Sequence, residues 1–498
     1  MALSYNFKKG VDIPNWIWLR EFPALNYHGA SNEYDGVRYV YWAFQSGTTS
    51  AAASTTQLSR YDTWTNGWQY LANTTAGAQG LDIEYDPQRN VIYIIHGAVL
   101  TSWQVFNLNT TSVTIAGVSC AAWALTTMTP VLTTAASYGA TVVLPNWQSV
   151  PGAIDVTTGL TPTSGNCGSA TAGTGSTTTN LIANTTIFTP GMVGLQVTFG
   201  ASTTTVALRG KSYIISAVAA TGLSATVATM AASPASTDTF IIELPKATAT
   251  AGAVGTLTDT VQAWPTNAYA NCDVVIVSGT GAGQRRRIAS NTATVLTLAA
   301  SVTGNANTGN FSVAPDATSV YQIQPSSDFL YYFVGNNSTT AYKIDISRTT
   351  GAAFAAITAI PGALYTGGNV VNPKDAGPFQ LLCLRGNATS NVYWYNIGTN
   401  AWTTPTVYAG SETFTTGATS CFISGRRKLM ILKEATKRTY FLDLTTNILE
   451  PAPQLMYAAP VGYDGKRLRF VKTADGVEWV YFGRAGGQEH HRIAIEWL

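Results

Sequence analysis

The sequence predicts an all-β fold, a seven-bladed β-propeller with a large β-rich insertion of two small β-modules between blades. Three observations predict it. Short runs of β-branched and aromatic residues between Gly, Asn and Thr turns recur along the 498 residues, while helical periodicity is nearly absent. A unit of aromatic strand, tight turn and second strand returns every 45 to 51 residues, the spacing of blades with about four strands each. One step, from Asp155 to Asp345, spans 190 residues, an ordinary step plus roughly 140 extra.

The clearest unit is VYWYNIGTNAWTT (392–404). Laid on it, QLSRYDTWTNGWQYL (57–71), which follows the strand RYVYWAF (38–44), places Asp62 on Asn396, Asn66 on Asn400 and Trp68 on Trp402. NVIYIIHG (90–97) with SWQVFNLNTTSVTI (102–115) brings Asn107 to the same point, and ATVVLPN (140–146) with GAIDVTTGL (152–160) brings Asp155. Beyond the long step, FLYYFVGN (329–336) with AYKIDISRTTGAAF (341–354) supplies Asp345, and FQLLCLRGN (379–387) leads into the clearest unit. KLMILKE (428–434) with RTYFLDLTTNILE (438–450) supplies Asp443, and EWVYFGR (478–484) with HRIAIEWL (491–498) ends on Ala494 at that place. Seven units result. The Asp or Asn is expected to accept hydrogen bonds from turn N–H groups, and Asn or Gly to supply the positive φ of a hairpin. The flanking Trp394, Tyr395, Tyr440, Phe441 and Tyr342 are expected to wedge between blades. The last unit stops where its outer strand should begin, so a strand within residues 5–22 is expected to close the ring and cover that edge.

Residues 1–160 are therefore assigned to the closing strand and about three blades, 161–325 to the insertion, and 326–498 to about four blades. The insertion is rich in Thr, Ala and Gly and poor in aromatics. It divides into modules at about 177–245 and 253–325, both alternating β-branched with small polar residues as small antiparallel sheets do.

Charged residues make up only 11 % of the chain, well below the usual ~25 %. The resulting surface suits a protein held in an assembly, or one facing the extracellular medium, better than an enzyme of the crowded cytosol. A formal net charge of +2 argues against broad capture of nucleic acid or of an anionic membrane. No apolar run approaches the roughly 18 residues of a membrane span, and the N-terminal stretch lacks the apolar segment of a secretory signal. The five cysteines, Cys120, Cys167, Cys272, Cys383 and Cys421, are scattered, and the expectation is reduced, buried thiols.

Chemistry-bearing motifs are few. Gly279, Gly281 and Gly283 form a loop without the Gly-Lys-Ser/Thr of a phosphate site and read as a turn between strands. Arg285, Arg286 and Arg287 are the densest cationic cluster, with Arg426, Arg427 and Lys428 second. On a strand, Arg285 and Arg287 share one face and Arg286 takes the other. They are candidates for contact with acidic residues of a neighbouring subunit. Four histidines, His28, His96, His490 and His491, offer no metal set, since adjacent strand residues such as His490 and His491, beside Glu489, point to opposite faces. Asp82, Glu84, Asp86 and Glu478 include no evident acid–base pair, and no Gly-x-Ser-x-Gly elbow is present. Enzymatic activity and cofactors are not expected. Trp64, Trp68 and Trp402, at hairpin positions, are the candidate ligand contacts.

In unit length and in the aromatic–turn–Trp hairpin the repeats resemble kelch-like propellers, although the paired glycines of true kelch strands are represented only by Gly367-Gly368. The histidine supply does not match the copper-oxidase type of kelch propeller, and YDTWTNGW (61–68) is a faint echo of the sialidase box. The string GTGAGQRRRIASNTATVLTL (279–298) with PDATSVYQI (315–323) resembles a β-module of tailed-bacteriophage structural proteins, as does the run from MVGLQVTF (192–199) through SYIISAV (212–218) to LSATVAT (223–229). These resemblances, over about a third of the chain, imply a non-enzymatic virion component assembled in the host cytoplasm. Its place would be a tail, neck or baseplate ring, its partners other virion proteins and further copies of itself in a homo-oligomeric ring, with no membrane and no direct nucleic-acid contact. The alternatives are a carbohydrate-binding, receptor-recognising propeller using the three tryptophans and, less favoured, a glycan-cleaving one.

Overall fold

The structure, a computed structural model, describes residues 17–19, 21, 31–45, 54–77, 81–96, 101–134, 141–145, 167–365, 368–386, 388–403, 406–410, 412–414, 418–433, 436, 438–452, 468–472, 477–483 and 490–495. Among them the fold is carried by short strands, with no α-helix. None of the helices is long and apolar enough to cross a membrane.

Six four-stranded antiparallel meanders make up one part of the molecule. The first sheet joins Ser31–Tyr34, Tyr39–Gln45, Ser54–Asp62 and Gly67–Gly77; the second joins Asp82–Asp86, Val91–Ile95, Trp103–Asn107 and Leu125–Thr127. The third runs Thr141–Val143, Phe329–Phe333, Ala341–Asp345, Phe354–Ala356. The fourth runs Asn369–Val371, Gln380–Leu384, Asn391–Asn396, Ala401–Trp402, with Thr406–Val407 also on its third strand. The fifth runs Thr419–Ile423, Lys428–Leu432, Thr439–Asp443, Ile448–Ala452. The sixth runs Leu468–Lys472, Glu478–Gly483, His490–Ala494, and takes its outer strand, Ile17–Trp18, from the other end of the chain. Ile17 lies opposite Arg492 and Trp18 opposite His491, and Leu19 N–H donates to the His490 carbonyl at 2.9 Å. The expected N-terminal closing strand is therefore present, and it covers the edge that the last unit leaves open.

The first strands of the six sheets neighbour one another in cyclic order, each touching the next and the sixth returning to the first. Six apolar cores fill the six gaps. Phe329–Phe333 shows how: Leu330 and Tyr332 pack with Tyr93 and Trp103 of the second sheet, whereas Tyr331 and Phe333 pack with Leu381 and Tyr395 of the fourth. Alternate side chains of one strand thus serve two neighbours, so middle strands such as Val91–Ile95 and Gln380–Leu384 are buried on both faces and read as continuous apolar runs. Between the sixth and first sheets the core contains Trp42, Tyr61 and Tyr481. Polar clasps on the first strands reinforce the ring. Asp82 accepts from Ser31 Oγ at 2.6 Å and from Val142 N–H at 2.8 Å, and Asn369 Nδ2 donates to the Ser420 carbonyl at 2.9 Å.

The count of seven is corrected here: the described residues form six such sheets. Thr141–Val143 is the first strand of the third sheet and pairs across the insertion with Phe329–Phe333, Val142 lying opposite Tyr332. The sequence units before and after the insertion are thus parts of one sheet, interrupted after its first strand. Asp155, the residue on which the extra unit rested, lies outside the described residues, as do His28, Glu489 and Gly367.

Two further sheets lie between the halves of the third. One has six strands, from Gly168–Thr171 to Thr239–Glu243, and the other seven, from Lys246–Thr248 to Val320–Gln324. They share a single core that runs from Phe188 and Phe240 through Trp264 and Tyr321, and it includes Phe379 of the ring. Lys246 N–H donates to Gln196 Oε1 at 3.0 Å and Tyr269 OH to the Gly194 carbonyl at 2.7 Å, linking the two sheets. The insertion is docked on the ring. Tyr269 meets Phe379 edge-on at 5.4 Å, Asn271 Nδ2 donates to the Ile397 carbonyl at 3.3 Å, and Thr189 Oγ1 donates to the Ala376 carbonyl. At Gly222 (φ +66°) a side chain would collide with the Thr445 carbonyl of the fifth sheet, so glycine is required there on two grounds.

Candidate functional site

The hairpin device comes first, because it supplies the candidate tryptophans. Asp62 Oδ1 accepts from Trp64 N–H at 2.9 Å, Asn396 Oδ1 from Thr399 N–H at 2.8 Å, and Asp443 Oδ1 from Thr445 N–H at 2.8 Å. Asn107 and Asp345 make the same kind of bond to Asn109 and Ser347. Asn66, Asn400 and Asn447 hold φ of 54°, 52° and 58°. These residues build turns, as expected. A feature missed in the sequence is the tyrosine five residues before the Asn: Tyr61 OH donates to Asn66 Oδ1 at 2.5 Å and Tyr395 OH to Asn400 Oδ1 at 2.7 Å. Tyr85 and Asn90 repeat it at 3.1 Å. Its signal was available in the Tyr-x4-Asn spacing.

The tryptophans separate into two kinds. Trp68 is half-buried against Tyr61, 5.1 Å away, and His490. Trp402 is half-buried against Tyr395 at 5.0 Å and donates Nε1–H to the Thr358 carbonyl at 2.8 Å. Both are wedges, with little face left for a ligand. Trp64 is 59 % exposed, and the Arg38 guanidinium lies 4.5 Å over its ring. Arg38 also lies 5.1 Å over Tyr39, Arg60 lies 4.0 Å over Tyr39, and Arg60 reaches Trp123, which is 45 % exposed. Trp64 and Trp123 thus bound an arginine–aromatic ladder on the first two sheets. Trp123 falls outside the repeat ruler, so periodicity did not single it out.

The arginine cluster is a structural junction. Arg285 and Arg287 share a face of Arg285–Asn291, and both are buried. Arg285 pairs with Asp273 on the adjacent strand, its Nε donating at 2.9 Å. Arg287 bridges Asp328 Oδ2 at 2.6 Å and Asp345 Oδ2 at 2.8 Å, where the insertion meets the third sheet. Arg89 of the second sheet takes the other Asp328 oxygen and also holds Asp86 at 2.9 Å. Arg286, on the other face, donates to the carbonyls of Asn310 and Arg285, each at 2.7 Å. The acidic partners expected on a neighbouring subunit are supplied by this chain itself. Burial alone would raise the Asp328 carboxyl, but Arg89, Arg285 and Arg287 hold it well below the usual carboxylate range.

Titratable groups elsewhere are sequestered. All five cysteines are free and buried, and burial pushes the Cys383 and Cys421 thiols up to about 12. His96, bonded to Gln104 at 2.9 Å, is lowered by burial to about 4. His490 and His491 are buried in the sixth sheet. No group of three or more His, Cys, Asp or Glu side chains converges on a metal position among the described residues. Gly279, Gly281 and Gly283, all at positive φ, make the turn before Arg285–Asn291.

A concavity lies on the ring axis. It has a volume of about 440 Å³ and is lined from every sheet in turn, by Glu33, Glu84, Val143, Val371, Cys421 and Leu468. Arg469 and Glu33 form a two-pronged ion pair on its wall. The Asp35 carboxylate, at the rim, accepts N–H bonds from Val37, Arg38 and Tyr39 at 2.7 to 3.0 Å. Lys374 opens a one-turn helix between the first two strands of the fourth sheet, with φ of 39°. Enclosure by the ring, and Arg469 nearby, lower the pKa of its ammonium, while Glu33 and Glu84 oppose the shift. Sequence reasoning noticed Glu84 but not Lys374 or Arg469. Only ring closure brings residues so far apart in sequence to one wall.

No known protein family matches the chain, and no curated protein matches it. Among solved structures, it is similar along 99 % of its length to a chain described as "Crystal Structure of Mitotic Checkpoint Complex", covering 98 % of that chain at 8 % identity and a TM-score of 0.35. It is also similar over 97 % of its length to an alpha-L-arabinanase from Penicillium chrysogenum complexed with arabinobiose, 98 % of which is covered at 8 % identity and a TM-score of 0.34. Likenesses this shallow bear neither on fold nor on function.

Proposed function

We propose that this chain is a non-enzymatic structural component of a tailed-phage virion, a ring-shaped platform in the tail, neck or baseplate. In this reading the six sheets are the blades of a closed propeller, and the insertion is part of the platform's body. The observation that carries it is the junction of Arg89, Arg287, Asp328 and Asp345, which ties two sheets of the ring to a β-module of phage-like sequence. Such a junction suits a part that must transmit load without bending, since its charges are largely desolvated and paired with one another. Exposed apolar side chains on the insertion, Val206, Val254, Val261 and Val313, offer contact points for neighbouring subunits. Mass spectrometry of purified particles, with electron microscopy to locate the chain, tests the proposal. The expected result is a stoichiometric component in a ring around the tail axis. Absence from particles overturns it.

A second reading, a carbohydrate-binding ring, has its own support in exposed Trp64 and Trp123 and in the axial cavity. Apolar faces of sugars stack on exposed indoles, and cavities of this size take small ligands. Glycan-array binding by the isolated chain, reduced by Trp64→Ala or Trp123→Ala, would favour it. An array without signal would remove it.

A further inference from the structure

The insertion rests on the ring face that carries the turns between first and second and between third and fourth strands. On the fifth sheet Gly222 abuts the Thr445 carbonyl, and Arg427 Nε donates to the Cys167 carbonyl at 3.2 Å. On the fourth, a side chain at Gly398 would collide with the Asn267 and Ala268 carbonyls, and Thr189 Oγ1 donates to the Ala376 carbonyl. On the third, Gly304 lies against Thr349. Three consecutive sheets thus give their turns to the insertion. The first sheet stands opposite the fourth in the cyclic order of six, and its turns are exposed instead. Thr63 N–H donates to the Arg38 carbonyl at 3.1 Å and joins those two turns into one surface, on which Val37 and Trp64 are each 59 % exposed. This surface is the counterpart of the covered one. Trp64 follows Asp62 by two residues, as Gly398 follows Asn396 and Thr445 follows Asp443.

The insertion carries an exposed apolar patch of its own. Val254 and Val313, 47 % and 50 % exposed, are brought together where Phe311 N–H donates to the Val254 carbonyl at 2.7 Å. Ala251 and Ala253 on the same hairpin are also exposed, and residues 247–258 include no charged side chain. We propose that the two patches are halves of one contact between copies of this chain: the insertion of one copy, through Val254 and Val313, docks on the first-sheet turns of the next, over Trp64 and Val37. The occupant follows from continuity, since three neighbouring sheets already receive this same insertion on these same turns. Charge agrees with it. Arg38, beneath Trp64, is answered by Asp62 through two hydrogen bonds, so neither patch asks for a charged partner. A central tryptophan ringed by small apolar contacts is the usual make-up of an interface anchor. The two halves are different surfaces, so the contact is head-to-tail and propagates to a closed ring or a filament.

The contact rests on the reading of this chain as a subunit of a ring platform, and the two fail separately: a chain present in particles but monomeric in solution defeats the contact alone, and absence from particles defeats the platform alone. Sedimentation velocity of the full chain at ~10–100 μM is expected to show association that grows with concentration. Trp64→Glu and Val313→Glu are each expected to weaken it by ~30-fold or more, the size of a hot-spot loss. Mixed in equal amounts, the two variants are expected to form a one-to-one dimer and no larger species, because each keeps the half that the other lacks. Both side chains are exposed, so both variants should melt with the parent; if Trp64→Glu melts lower, Val37→Glu on the same patch takes its place. Association unchanged by either variant, or a mixture that recovers no dimer, overturns the proposal. So does a parent chain that stays monomeric, which leaves Trp64 to the carbohydrate reading.

Discussion

At the scale of single residues, burial and charge pairing decide more than residue type. Arg285 and Arg287 look in the sequence like an exposed basic patch, yet each is folded inward onto a carboxylate. Their low accessibility was not legible because Asp328 and Asp345 lie 41 and 58 positions away from Arg287. Removing one partner of such a buried pair leaves an uncompensated charge, so Arg287→Ala is expected to cost about 3–5 kcal/mol, read as a lower denaturant midpoint. The pH dependence follows from His96 and Asp328. His96 is held near 4 against an ordinary 6.5, so the unfolded chain binds the extra proton between those values. Its contribution is fully present above pH 6.5 and is lost as pH falls towards 4, a loss of about 3 kcal/mol at ~1.4 kcal/mol per pKa unit. The depressed carboxyl of Asp328 acts in the same direction at lower pH: its contribution is present above the ordinary carboxylate pKa and is lost as pH falls through and below it. Melting temperature measured from pH 7 to pH 4 should fall, and His96→Gln should flatten the part of the curve above pH 4.

At the scale of elements, the hairpin was almost wholly legible. Asp or Asn opening the turn and Asn at positive φ follow from turn chemistry alone, and Trp68 and Trp402 wedge where the repeat alignment places them. Asn400 has a double role, holding φ of 52° and accepting from Tyr395 OH. Asn400→Ala is expected to destabilise by ~1–2 kcal/mol, and Asn400→Gly by less because glycine keeps the backbone free, a difference that denaturant titration would resolve. At Gly222 no such relief exists. Gly222→Ala would push on the Thr445 carbonyl and is expected to loosen the insertion from the fifth sheet, seen as faster amide exchange at that contact with the distant first sheet unchanged. The exposure of Trp64 against the burial of Trp68 was not legible. Four residues apart on one hairpin, they differ because Trp68 faces the sixth sheet, which arrives from the far end of the chain.

At the scale of the molecule, closure is the feature on which stability turns. Ile17–Trp18 completes the sixth sheet, whose first strand then meets the first sheet. Deleting residues 1–19 is expected to expose the His490–Ala494 edge, lower the melting temperature and promote association through that edge. An unchanged melt would show that closure is dispensable. The number of sheets was miscounted from sequence because a first strand has no hairpin of its own, and Thr141–Val143 finds its partner only across the insertion, at Phe329–Phe333. By itself the sequence determined the strand content, the repeating hairpin, the place of the interruption and the need for an N-terminal strand, all of which follow from patterns within about fifty residues. Tertiary structure alone decided the six ring sheets of the described residues, the docking of the insertion, the inward fate of the arginines and the axial cavity with Lys374. Each depends on residues far apart in the chain meeting when the ring closes, and local pattern holds no record of such meetings.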